Sequence, residues 1–169
     1  MSTTVSLTGE TTSPTPLTIR KASEADYDTA LELFRSTMGA AFELDRGLWA
    51  DVCGAATHRA LIAEDAAGVP VGMAIVVVSD RIRLAAGVHR KRYHLDELIV
   101  SPERRRQGIG RTILEHVKQM AQQDAPSYII VSCDFMNVAA RRTYEAAGLY
   151  LVRQSADRFE IAFNTPTAG

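Results

Sequence analysis

The chain has 169 residues, enough for one domain with a core of its own and too few for two of ordinary size. Apolar residues make up 46% and charged residues 23%, ordinary globular proportions. Nineteen Lys and Arg face twenty Asp and Glu, a net charge of −1, so whole-chain charge supports neither a nucleic-acid partner nor a membrane one.

Residues 1–16 are rich in Thr, Ser and Pro and lack a basic start or an apolar run. They read as a disordered tail and not as a signal peptide. A short strand is predicted over 17–20. Ser23-Glu24-Ala25-Asp26 then has capping-box spacing. Tyr27, Ala30, Leu31, Phe34 and Met38 follow as a helical stripe, with Gly39 as its stop. A weaker helix is predicted over 43–53. Strands at 60–64 and 71–78 flank a turn at 65–68, which is a hairpin pattern. Segment 81–92 breaks the apolar pattern and carries Arg81, Arg83, His89, Arg90, Lys91 and Arg92. A solvated hairpin tip is the preferred reading, ahead of an anion-attracting surface.

From 93 onward strands and helices alternate: strand 93–100, helix 108–123, strand 127–133, helix 137–147 ending at Gly148, and strands 149–153 and 158–163. The middle helix carries Ile109, Ile113, Val117 and Met120 in a stripe, with Leu114 and Ala121 beside it. The order is that of an α/β domain over 17–163, with a short C-terminal tail at 164–169. Its strand–helix–strand unit implies a locally parallel pair. Cys53 and Cys133 form no CxxC pair, so a disulfide or zinc framework is not expected and a reducing cytoplasm is the default. No apolar stretch approaches the roughly 18–20 residues that span a bilayer. His58, His89, His94 and His116 show no metal spacing, and no Gly-x-Ser-x-Gly elbow is present.

The most informative stretch is 95–111, where an apolar strand enters a turn with Arg105, Gly108 and Gly110 and a helix begins. Exposed amides at a helix start, with glycines allowing close approach, form a seat for phosphate. Arginines 104 to 106 add positive charge where the helix dipole already favours anions. A tight connection with a solvated basic turn would leave the same letters. The Walker and dinucleotide patterns fit poorly, because Gly110-Arg111-Thr112 lacks the lysine and Ile113 stands where a third small residue is needed.

Arg105-Arg106-Gln107-Gly108-Ile109-Gly110 resembles the Arg-x-x-Gly-x-Gly signature of GCN5-related N-acetyltransferases. Asn137 to Leu149 is similar to that family's Asn-x-x-Ala-x-x-x-Tyr-x-x-x-Gly-Phe helix, with Leu149 in place of the phenylalanine. The resemblance implies a mixed, V-splayed sheet of six to seven strands flanked by about four helices, with acetyl-CoA as co-substrate and no metal. It places the pantetheine arm between strands 93–100 and 127–133, held by main-chain amides of Leu98, Ile99 and Val100. The diphosphate would lie against Arg105, Arg106, Gln107, Gly108, Ile109, Gly110 and Arg111.

Asn137 would contact the pantetheine or cap its helix, and Arg142 would reach a phosphate or stay solvated. By the same resemblance, Tyr144 protonates the leaving sulfur and the amide of Leu98 stabilises charge on the thioester oxygen. Tyr144 also sits on an apolar helix face, where a core role competes. The base is open between His94 and Glu97, with Asp96 behind them and water a further candidate. Strict alternation puts His94, Asp96 and Leu98 on one face and Glu97 on the other, although a β-bulge would swap the faces.

The acceptor is expected to be a primary amine, with a small molecule preferred over a protein terminus on family breadth alone. Glu43, Asp45, Asp51 and Glu97 would suit a cationic amine, whereas segment 81–92 would suit an anionic one. A non-catalytic acyl-CoA sensor and a nucleotide-binding regulatory domain are the other classes. The exposed terminal strands are compatible with a homodimer.

Overall fold

A computed structural model of the chain describes residues 16–134, 136–153 and 157–163. The two expected tails, 1–16 apart from Pro16 and 164–169, lie outside the described residues. The chain runs β1 (Thr18–Lys21), α1 (Tyr27–Met38), α2 (Arg46–Gly54), β2 (His58–Glu64), β3 (Pro70–Arg83), β4 (Val88–Val100), α3 (Ile109–Gln123), β5 (Ser127–Cys133), α4 (Val138–Ala146), β6 (Tyr150–Arg153) and β7 (Asp157–Phe163). The strands form one seven-stranded sheet in the order β1-β2-β3-β4-β5-β7-β6. Among the described residues only β4 and β5 pair in parallel, joined by α3 as the strand–helix–strand pattern requires.

Each face of the sheet carries its own core. On one side α3 and α4 press Ile109, Ile113, Leu114, Val117 and Tyr144 onto Val76, Leu95 and Val131. On the other, α1 and α2 press Leu33, Phe34, Trp49 and Cys53 onto Ile62, Met73, Ile75 and Ile99. The α1 stripe is rotated from the predicted one. Leu33 is buried where Leu31 was expected, and Met38 in the last turn is 55% exposed. Leu31 and Leu33 are two residues apart and cannot share a helix face, and the sheet beneath selects the latter.

Helix α2 starts later than predicted because Asp45 caps it, its carboxylate accepting from the Leu48 amide at 2.8 Å. Segment 81–92, read from sequence as a solvated hairpin tip, is the outer half of one long β3–β4 hairpin, paired to its end at Arg83 and Val88. The chain turns there through Leu84–Ala86 and the left-handed Gly87.

Two irregularities position the site. Pairing between β4 and β5 stops at Leu95 and Val131, while β4 continues to Val100 and β5 to Cys133. The parallel strands therefore part like a V. Opposite β3, the register jumps between Ile75–Glu97 and Val76–Leu95, leaving Asp96 as an extra residue in a β-bulge.

Candidate active site

The V opens into a cleft of about 810 Å³, walled by the end of β4, the turn into α3, and α4. Its β4 wall presents main chain. Ser101 N–H donates to Val71 O at 3.0 Å on the β3 side, whereas Val100 O accepts from Arg105 Nε at 3.2 Å on the other. The two-residue period of a strand then turns the amides of Leu98 and Val100 toward the cleft and that of Ile99 toward β3. The three-amide set expected from sequence thus narrows to two.

The turn has a conformation that few residue types accept. Arg106 has φ 63° and Gly108 φ 81°, both left-handed, so the chain curls and its amides converge where α3 begins. The three arginines divide their work. Arg104 pairs with Asp65 at 2.6 Å and ties the turn to the β2–β3 loop. Arg105 bonds the Val100 carbonyl and reaches Thr37 Oγ1 at 3.5 Å. Arg106 and Arg111 line the cleft with no ion-pair partner among the described residues. The Gln107 side chain turns back to the Glu103 carbonyl and does not line the cleft, whereas Ile109 is mainly a core contact.

Two glycines have opposite reasons. A Cβ on Gly72 would lie 2.8 Å from the Ile99 carbonyl oxygen and 3.2 Å from Ile113 Cδ1, so only glycine lets α3 sit this close to the sheet. A Cβ on Gly110 would meet Val100, Thr143 and Leu98 at 3.6, 3.8 and 3.9 Å, ordinary contact. The protein itself tolerates a methyl there, and what the glycine preserves is open space in the cleft. Sequence reasoning passed over Gly72, although a lone glycine inside an apolar strand is a sign of close approach. Thr37 and Thr143 were also missed, and no local signal marks them.

Tyr144 closes the inner end, buried between core and cleft. Burial first, then the neighbouring Cys133 and Glu97, push its phenol up to about 12, so it keeps its proton at neutral pH. Asn137 caps α4, its Oδ1 accepting from the Ala140 amide at 3.1 Å, and both Asn137 and Arg142 line the cleft.

The bulge at Asp96 corrects the facing derived from strict alternation. Leu95 and Leu98 both join the core beneath α3, while Ile99 joins the core beneath α1. His94, paired with Val77, and Glu97, paired with Ile75, therefore share the α1 face, and Asp96 is exposed on the bulge. Neither His94 nor Glu97 lines the cleft. Burial, with Asp96 second, raises the Glu97 carboxyl above its ordinary value. Among the described residues no group of three or more His, Cys, Asp or Glu could hold a metal ion, and no helix is long and apolar enough to cross a membrane.

A strand edge with unpaired amides, an anion-seeking turn and a buried phenol suit a ligand with an amide-bearing arm, a diphosphate and a reactive end. Coenzyme A has those parts, and the room left by Gly110 fits it. Fold and site together define a coenzyme-A-dependent acyltransferase. The Acetyltransferase (GNAT) family model matches residues 25–149, and the chain belongs to that family. It is an N-acetyltransferase with acetyl-CoA as co-substrate.

Comparison with curated proteins returns no match. Solved structures share the fold. NAA60 of Arabidopsis thaliana, in complex with a bisubstrate analogue, has TM-score 0.71 at 12% identity, covering 88% of this chain and 99% of that one. Aminoglycoside 6'-N-acetyltransferase AAC(6')-Ih of Acinetobacter baumannii has TM-score 0.68 at 17% identity, covering 91% and 100%. The yncA protein of Salmonella typhimurium, solved with its cofactor acetyl-CoA, has TM-score 0.67 at 18% identity, covering 91% and 98%.

Proposed function

We propose that residues 17–163 act as one catalytic domain in the cytoplasm, moving the acetyl group to a primary amine of a small molecule by direct attack in a ternary complex. The observation that carries the reading is the parting of β4 from β5 beside Tyr144, above a turn built for a diphosphate. Acetyl-CoA supplies an activated thioester. Around it, the amides of Leu98 and Val100 hold the pantetheine arm, and Leu98 N–H stands to receive charge developing on the carbonyl oxygen. The turn amides with Arg106 and Arg111 hold the diphosphate, and Arg105 fixes the turn that presents them.

Tyr144 keeps its proton and borders the cleft, which fits it to return that proton to the departing sulfur. A protonated amine has no lone pair, so a base must act on the acceptor side, where Glu97 and His94 share one face. Burial raises the Glu97 carboxyl above its ordinary value, the direction that suits a carboxylate to act as a base near neutral pH.

The deciding experiment incubates the protein with acetyl-CoA and a panel of primary amines while free thiol is followed. Enzyme-dependent release with at least one amine is expected. Tight acetyl-CoA binding by calorimetry with no release from any amine would reduce the chain to an acyl-CoA-binding module.

A further inference from the structure

The hairpin formed by β3 and β4 is unevenly charged, and the two sides differ in how that charge is met. On the side of α3, each basic residue has an acidic partner: Lys91 pairs with Asp124 at 3.0 Å, and His89 with Asp80 at 2.8 Å. Asp124 also accepts from the Tyr93 hydroxyl at 2.6 Å. The side of α1 is different. Its rows run Ile75–Glu97, Val77–His94, Ser79–Arg92 and Arg81–Arg90. Among the described residues, Arg92 donates only to the neutral Ser79 hydroxyl, at 3.1 Å, and neither Arg81 nor Arg90 has an acidic partner. Arg81 and Arg90 stand directly opposite each other, an arrangement that opposes strand pairing.

This uncompensated charge shares a face with the two candidate bases. The core beneath α1 and α2 ends at Ile75 and Ile99, so Val77, Ser79, Arg92 and His94 belong to neither core. Rows on one face repeat every two residues, about 7 Å apart. Arg92 therefore lies two rows, about 14 Å, from Glu97 at the backbone, a gap that the long arginine side chain can close in part.

Resting on the acetyl-transfer reading above, we propose that the acceptor amine carries a carboxylate or phosphate at its far end, received by Arg92 with Arg81 and Arg90. Glu97 and His94 attend the amine, and the arginines attend the anion. The acidic residues of the first helices are then not the acceptor's counter-charges. The hairpin face sets specificity by opposite charges at the two ends of one molecule, since a guanidinium pairs with either oxyanion in a forked geometry.

The test uses four amines with one six-carbon spacer: hexylamine, aminohexanoate, aminohexyl phosphate and diaminohexane, each with acetyl-CoA and the full-length protein. One or both anion-bearing amines should exceed hexylamine in kcat/KM by about tenfold or more, with diaminohexane lowest. The better of the two identifies the anion as carboxylate or phosphate. Arg92→Gln, and separately Arg81→Gln with Arg90→Gln, should pull the anionic-to-neutral ratio toward one through KM, and Arg92→Lys should restore part of it.

Acetyl-CoA affinity and melting temperature, measured alongside, separate this result from misfolding. Equal turnover of hexylamine or diaminohexane, a preference for amines outside this set that bear no anion, or a ratio that survives the substitutions overturns the proposal while acetyl transfer stands. Absence of thiol release with every amine instead removes the reading beneath it.

Discussion

The two sides of β4 are built from different materials. Toward α3 and α4, the side proposed for the coenzyme is made of main chain: the parted edge at Leu98 and Val100, the left-handed Arg106 and Gly108, and the space over Gly110. Toward α1 and the hairpin, the side proposed for the acceptor is made of side chains, namely Glu97, His94, Arg92 and their neighbours. A backbone site constrains residue types tightly, because only certain residues accept its dihedrals and close approaches. A side-chain site on a strand face can change letters without disturbing the ladder, which is how one fold can serve many acceptors.

The contrast is most sharply tested at Tyr144, where both sides converge. Tyr144→Phe should leave acetyl-CoA affinity nearly intact by calorimetry while kcat falls by about 10²- to 10⁴-fold, the usual worth of a positioned acid. Unchanged turnover would remove the phenol from the chemistry and leave it as packing.

Next come the two glycines, which set coenzyme space against fold. Gly110→Val should preserve the melting temperature yet weaken acetyl-CoA binding by about tenfold or more, since its side chain would occupy the ligand's room. Gly72→Ala should destabilise the fold by about 1–3 kcal/mol, because a methyl 2.8 Å from the Ile99 carbonyl forces α3 or the sheet to shift. A thermal melt with and without acetyl-CoA reads both. Equal losses of stability in the two variants would erase the distinction drawn here.

The smallest effect is at Glu97, on the acceptor side. Its carboxyl is raised by burial, so the folded protein binds that proton more tightly than the unfolded chain does. The sign follows: stability falls as pH rises from the ordinary glutamate value, about 4.3, through the raised one. Glu97→Gln removes that slope and should melt higher than the parent at neutral pH, with the gap closing toward pH of about 4. If Glu97 is also the base, the acidic limb of kcat/KM disappears in the variant. An unaltered profile hands the role to His94 or water.

Much of the geometry around the turn into α3 was legible in the sequence, because its constraints are local. Gly108 and Gly110 stand two residues apart at a helix start, and a phosphate turn needs them there. Asn137 and Tyr144 keep a helical spacing that the chain alone sets. Element order was legible for the same reason, since periodicity and caps such as Ser23–Asp26 and Gly39 are written in neighbouring residues. The acceptor side was not. One extra residue at Asp96 inverts the facing of everything beyond it, and no local letter distinguishes a bulged strand from a regular one.

The sequence by itself therefore determined the class of the protein and the glycine turn that opens α3, through short-range geometry imposed on glycines, caps and helical repeats. Tertiary structure alone decided that Leu33 and not Leu31 enters the core, that Glu97 joins His94, and how far the pairing of the basic hairpin extends. Those outcomes depend on which strand lies opposite and in what register, a relation between residues far apart in the chain that no window of neighbouring letters contains.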